Sequence, residues 1–421
     1  MTELSVLQPG LPDPGPNHQE IQGPTRRGQG HGYPATVSGL AIGRGTCQTF
    51  GVLIGLFPEL NAPGGVQRAS RHLAAVLTEF ASSRGMDCRL LSLNDSPELH
   101  RMTLGEREFV FTGCDRAKGQ FTMTALRAAR RNAKLVLAAH PNLGPVVQAM
   151  RFVAPWMKRI ICTHGIDVWE PLGGLRRFAL SNANLVLAPS QDTADRVASE
   201  QRVARERIRV LPWALDPQFE ALLAAGAKAA PPEGFPAGRV ILTVARWLAT
   251  ERYKGMDTLI IALPRLLTNW PELQLVLVGT GDDRVWLEDL MEKNGVERHV
   301  HFLSGLSSSE LAACYSACEI FALPSGGEGF GMVYLEAMAY GKPVIGGAHG
   351  GAPEIIEDGV SGYLVPHGDP IHLATCIDAL LADPEHAKEM GARGRQRAEH
   401  EFRFNVFAKS LKKILREQCE S

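Results

Sequence analysis

The chain carries almost no net charge. Across 421 residues, 44 Lys and Arg stand against 45 Asp and Glu, so there is no global basic field to hold nucleic-acid phosphates, and no nucleic-acid partner is expected. Paired cysteines are missing too. The eight cysteines lie scattered at 47, 88, 114, 162, 314, 318, 376 and 419 with no C-x-x-C spacing, which reads as reduced, buried thiols rather than a disulfide framework. Cys314 and Cys318 share a helix face, but no nearby histidine or second pair completes a zinc site. No apolar run reaches the roughly 18 residues of a membrane span, and the amino terminus lacks a signal-peptide pattern. The expectation is a soluble cytoplasmic protein whose contact with a membrane, if any, is peripheral to its inner face. The first apolar run is followed by "GLFPELNAPGG" without G-x-G-x-x-G, which argues against a dinucleotide dehydrogenase.

What is present is enough apolar residue, 45%, to fill more than one core. Residues 1–46 are thick with Pro and Gly, show neither helical nor strand period, and read as a disordered tail. From "GVLIGLF" at 51–57, short apolar runs alternate with longer amphipathic ones, the mark of βαβ units. The strand candidates of this first series are 52–57, 88–92, 108–112, 134–139, 159–163, 184–189 and 208–212. A Pro/Ala/Gly-rich segment at 221–238 reads as a linker. A second series follows at 239–245, 273–279, 300–305, 319–324, 343–347 and 362–366. The economical reading is two doubly wound α/β domains in tandem, 47–220 and 239–403. A final helix over 404–421 has Phe404, Phe407, Leu411 and Leu415 at helical spacing for packing on a core, that of the first domain being one choice. Ligands bind outside the carboxyl ends of strands in such folds, so a crevice between the two domains is the default site.

Within "GGEGFGMVYLEAMAYGKPVIGG" (326–347), Glu328 and Glu336 stand eight positions apart in an apolar, glycine-punctuated stretch. A carboxylate is costly to bury unpaired. The turn Gly329, Phe330, Gly331 offers backbone N–H groups at a helix start, which attract anions and hydroxyl oxygens. Both glutamates can therefore face one elongated ligand rich in hydroxyl donors, or they can simply pair inside the fold.

The segment "EGFGMVYLEAMAYGKPV" with "GGAPEIIEDGVSGYLV" resembles the donor-site signature of the retaining glycosyltransferases of family 4, sugar-nucleotide enzymes of the GT-B fold. The resemblance extends over residues 51 to about 410. It implies two Rossmann-like domains facing each other across a cleft, a nucleoside diphosphate sugar as donor, a hydroxyl acceptor that is lipid-linked in some relatives, and no bound metal or other cofactor. "ARWLATERYKGMDTL" resembles the family element that makes Arg246 and Lys254 partners of the donor diphosphate. "VGTGDD" resembles the nucleotide-side loop, with Gly279 and Gly281 allowing close backbone approach and Asp282 and Asp283 as solvated acids rather than metal ligands. "NAPGG" implies donor or acceptor contacts at the amides of Gly64 and Gly65, and "ICTHGIDVWEPL" supplies an active-site histidine, His164, with Asp167 and His140 as weaker candidates. Glu328 is then expected to orient the sugar and Glu336 to bind ribose, with Phe330 and Gly331 lining the same subsite. Two rival readings stay open, a sugar-nucleotide epimerase of the same fold and a nonenzymatic nucleotide-sugar-binding module.

Overall fold

The computed structural model describes residues 51–224 and 230–420. The tail expected at 1–46 lies outside the described residues, as does part of the expected linker.

Two sheets form, one from each series of apolar runs. The first has eight strands: β1 (Val52–Phe57), β2 (Asp87–Ser92), β3 (Leu99–Leu104), β4 (Arg107–Gly113), β5 (Ala133–Ala138), β6 (Lys158–Cys162), β7 (Leu185–Ala188) and β8 (Ile208–Val210). Their order is β3-β4-β2-β1-β5-β6-β7-β8, parallel throughout except for the antiparallel pair β3 and β4. Every residue of β1, "VLIGLF", is buried, as a central strand covered by helices on both faces requires. The second sheet holds β9 (Val240–Val244), β10 (Gln274–Val278), β11 (Val300–Leu303), β12 (Ile320–Leu323), β13 (Val344–Gly347) and β14 (Gly362–Val365). It runs β11-β10-β9-β12-β13-β14, all parallel.

Each order reverses at one point, between β1 and β5 in the first sheet and between β9 and β12 in the second. Connections leave those neighbours in opposite directions and open a crevice at their carboxyl ends. The loops after β1, β6, β9 and β12 carry most of the candidate residues, with His140 after β5 and Gly279 to Asp283 after β10.

Two features depart from the expected organisation. Strand β3, "LHRMTL", is absent from the sequence reading because it is an edge strand covered on one side, with alternating exposed and half-buried residues. The expected linker also begins too early: a helix spans Pro217–Ala224. Asp216 accepts from the Gln218 amide at 2.9 Å, and Pro217 with "QFEALLA" supplies a capped start and strong helix formers.

After the second sheet the chain returns. Helix Phe404–Glu420 lays its apolar face on helix Gly65–Ser83 of the first lobe, with Phe404 edge-on to His72 at 5.2 Å between centroids and the Arg107 guanidinium 4.7 Å from the Phe404 ring. Lys412 pairs with Glu79 at 2.6 Å. One continuous apolar core joins this helix, the first lobe and the inner face of the second. Among the described residues, no helix is long and apolar enough to cross a membrane.

Candidate functional site

The second lobe assembles its charges from two loops. The strand β9 ends at Val244, and the chain then runs through Arg246 and a short 3-10 stretch, Ala249–Lys254, into helix Met256–Asn269. After β12, the loop 325–331 leads into helix Met332–Ala339. The two loops are stitched by the Gly326 amide and the Ser325 hydroxyl, both donating to the Tyr253 carbonyl, at 2.6 and 3.2 Å. That stitching brings Lys254 Nζ to 2.5 Å from Glu328 Oε1, with both side chains largely buried. Arg246 behaves differently. Its side chain is 68% exposed and pairs with Glu251 on its own loop. Burial first, then the carboxylates of Glu251 and Glu328, push the Tyr253 phenol above its ordinary range, so it stays a protonated donor beside both pairs.

Glu336 lies on the inner face of helix Met332–Ala339 and is 1% exposed. One carboxylate oxygen accepts from the Tyr315 hydroxyl at 2.8 Å, and the other pairs with Arg68 from the first-lobe helix Gly65–Ser83. The burial penalty of a carboxylate is thus offset on both oxygens. The sequence reading missed Arg68. Its one signal was a cation one turn inside an otherwise apolar helix face, directly after the Gly-Gly loop. Tyr315 carried no signal.

The lobes touch through bare backbone at one point. A Cβ on Gly329 would sit 1.7 Å from the His164 carbonyl oxygen, and one on Gly165 would sit 2.2 Å from the Gly329 Cα. Only glycine at both positions allows this crossing. The Ser190 hydroxyl donates to the Gly329 carbonyl at 2.8 Å. Beside it, the Glu354 carboxylate of the second lobe accepts from the Gln191 amide, at 2.6 and 2.8 Å, at the start of first-lobe helix Gln191–Glu200, where the helix dipole favours an anion.

Gly64 precedes helix Gly65–Ser83, and a side chain at Gly65 would come within 3.3 Å of the Met332 methyl. Gly331 precedes the helix that Met332 begins. The amino ends of two helices, one per lobe, therefore face a common spot, and their unpaired amides make it a place for a polyanion. His164 sits one loop away. Its Nε2 lies 2.6 Å from the Ala139 carbonyl, which can only accept, so that nitrogen carries the proton. The ring is stacked between His140 and Trp213, at 5.7 and 5.4 Å. Asp167 holds this loop by accepting from the His164 amide at 2.9 Å. Burial, and then the neighbouring His164, push the His140 imidazole down to about 4.

Asp283 departs from expectation, and the structure defines the protein neighbours of three other candidates. The space of a Gly279 Cβ is filled by the Ala245 carbonyl oxygen at 1.9 Å, and the Gly279 amide donates to the Leu303 carbonyl. Gly281 meets the Trp247 carbonyl in the same way, at 1.8 Å. The Phe330 side chain is buried in the core against Phe402, 5.9 Å between centroids, which leaves its backbone alone for a ligand. Asp283 is no solvated acid. It is buried in a two-pronged pair with Arg252, at 2.7 and 2.8 Å, while Arg252 lies 3.9 Å over the Trp286 ring. Asp282 accepts from the Ala249 amide at 3.0 Å.

Two family models match, "Glycosyltransferase Family 4" over residues 63–219 and "Glycosyl transferases group 1" over residues 232–397. The chain is 33% identical over 288 residues to a GDP-mannose-dependent alpha-(1-6)-phosphatidylinositol monomannoside mannosyltransferase of Mycolicibacterium smegmatis, an alignment covering 65% of this chain and 72% of that one. It is 34% identical to a D-inositol 3-phosphate glycosyltransferase of Corynebacterium jeikeium, over 40% of this chain and 41% of the relative. Among solved structures, a sucrose-phosphate synthase of Thermosynechococcus elongatus superposes with a TM-score of 0.69 at 22% identity, covering 87% of this chain and 98% of that one. That likeness places the fold.

Proposed function

Since the chain belongs to the family 4 glycosyltransferases, we propose that it transfers a hexose from a nucleoside diphosphate sugar to a hydroxyl acceptor, with retention at the anomeric carbon and without a metal. The observation that carries the reading is the Lys254–Glu328 pair set beside two facing helix amino ends. Cations and amides there would stabilise the departing diphosphate where charge develops. Lys254, Arg246 and the amides at Gly65 and Gly331 hold the leaving group, and Glu328 orients sugar hydroxyls and balances positive charge near the anomeric carbon. The acceptor oxygen attacks on the face that the phosphate leaves, the bond to the phosphate oxygen breaks, and that oxygen takes the acceptor proton. Glu336 accepts from the ribose hydroxyls, and His164 lines the acceptor side.

The names of the two relatives support a finer reading: mannose as the sugar, GDP as its carrier, and an inositol-bearing lipid or phosphate as the acceptor. A cavity of about 350 Å³ lined by Ile166, Asp167, Trp169, Glu170, Leu172 and Arg176 lies on the His164 loop, which offers a cation for phosphate and acids for hydroxyls. The first lobe also exposes Phe152 (90%), Trp156 and Phe178, each within two positions of a cation in the sequence, Arg151, Lys158 and Arg177. Apolar anchors among cations suit peripheral contact with an anionic membrane on its cytoplasmic face.

The test is product analysis with GDP-mannose, UDP-glucose and their relatives, against phosphatidylinositol, its mannosides and inositol phosphate. Label in a glycosylated acceptor with retained anomeric configuration supports the reading. A donor converted to its epimer with no acceptor labelled would overturn it.

A further inference from the structure

The Arg68–Glu336 contact joins the lobes at the point where the donor ribose is proposed to bind. As the chain stands, no ribose can reach Glu336. Its carboxylate is 1% exposed, one oxygen is taken by Tyr315 and the other by Arg68. Tyr315 is buried on the same lobe and has no reason to leave. Arg68 comes from the opposite lobe, is partly exposed, and has weaker ties elsewhere, the Asp216 carboxylate at 3.8 Å and the Phe219 ring at 5.7 Å. It is therefore the group that must give way.

Where it would go follows from charge. Ribose hydroxyls are neutral donors, so they can replace Arg68 on Glu336 but strand the guanidinium. Arg68 sits one helical turn from Gly65, where the two helix amino ends meet, and an arginine side chain spans more than one 5.4 Å turn. A guanidinium is built to take a phosphate through two parallel hydrogen bonds. A diphosphate arriving with the ribose supplies the anion that Arg68 gives up.

We propose that Arg68 is a donor-operated latch: it holds Glu336 while the site is empty, and the nucleoside diphosphate releases it by offering ribose to Glu336 and phosphate to Arg68. The proposal rests on the reading of Glu336 as the ribose acceptor. The exchange makes the two halves of the donor interdependent. A nucleoside alone displaces the latch without rehousing it and binds poorly, whereas the diphosphate does both. Lock and ligand thus share one carboxylate, which ties release of the lobe contact to the phosphorylated donor.

The experiment is calorimetric titration of wild type, Arg68→Met and Arg68→Lys with GDP, UDP and the matching nucleosides. For Arg68→Met, the nucleoside should bind at least 3-fold tighter and the diphosphate at least 3-fold weaker, so that the ratio of the two dissociation constants collapses by about 10-fold or more. Arg68→Lys keeps a cation and should restore part of that ratio; it also keeps the test open should the Met variant fail to fold. If both affinities fall together, Arg68 is only a structural clamp; if both rise, it is only a competitor; if neither moves, it plays no part. Each of these overturns the latch while leaving the donor reading intact. Wild type that binds neither diphosphate overturns both.

Discussion

The two lobes share a chain plan and differ in how they handle charge. Residues 51–220 hold 22 Lys and Arg against 16 Asp and Glu, while residues 239–420 hold 18 against 25. Near-neutrality of the whole conceals a basic lobe and an acidic one. In the acidic lobe three loop cations each lie beside an acid: Lys254 with Glu328, Arg246 with Glu251, Arg252 with Asp283. The basic lobe has ion pairs too, such as Arg107 with Glu79 and Arg196 with Asp192, but it meets the crevice differently. It offers its site through backbone, at Gly65 and Gly165, and through one side chain that crosses over, Arg68. The loops of the second lobe are thus organised largely by their own ion pairs, and the first lobe meets the crevice through glycine backbone and one arginine that reaches across.

The comparison breaks most visibly at the paired cations. Lys254→Ala and Arg246→Ala should each slow transfer by roughly 30- to 1000-fold, corresponding to about 2–4 kcal/mol in the barrier; the melting temperature should change little for the exposed Arg246 and should drop for Lys254, whose loss leaves Glu328 buried and unpaired. Rates measured with and without EDTA should agree; activity abolished by EDTA and restored by magnesium would refute protein cations as the charge stabilisers. Next in size is Glu336→Gln, which removes a charged acceptor and should weaken nucleoside diphosphate binding by roughly 1.5–3 kcal/mol. Unaltered affinity in a folded variant would take the ribose from Glu336.

The first lobe has its own handle. Its His140 is held neutral in the folded state, with a value near 4 against an ordinary 6.5, so the unfolded chain takes up the proton first as pH falls. The stability from this group is complete above about pH 6.5 and drains away between there and pH 4, by about 3 kcal/mol in all. His140→Asn keeps an acceptor for the Asn142 amide, which His140 Nδ1 receives at 3.1 Å, and removes the titration. Unfolding free energies from denaturant titrations should fall between pH 7 and 4.5 by roughly 2 kcal/mol more in wild type than in the variant; parallel falls would assign the acid sensitivity elsewhere. The smallest effect should come from deleting residues 1–46, whose composition lacks the periodic apolar residues of a core. A large drop in melting temperature would show that they pack.

How much of this was legible depended on the kind of signal. Strands buried on both faces, such as β1 and β9, announce themselves as unbroken apolar runs, and the loops after them inherit their place in the crevice. Strand β3 did not, because an edge strand with polar alternation resembles a loop. The Glu328–Lys254 partnership was half visible: both residues were candidates, yet their pairing needs the stitch at Tyr253, which is made of backbone atoms. The surroundings of Gly279 and Phe330 were not legible either, since sequence reports that a residue is small or apolar and not which neighbour fills the space beside it. Arg68 was invisible as a site residue because its partner lies 268 positions away.

The closing helix sets a timetable for synthesis. Helix Gly65–Ser83 waits for Phe404–Glu420 to cover it, and roughly 320 residues must leave the ribosome in between, which at ~5–20 residues per second takes roughly 15–60 s. Throughout that interval the nascent first lobe shows the apolar face that Phe404, Phe407 and Leu411 will bury. A chaperone that recognises extended apolar surface has its longest opportunity on this lobe, and a chain cut anywhere before residue 404 leaves that face uncovered.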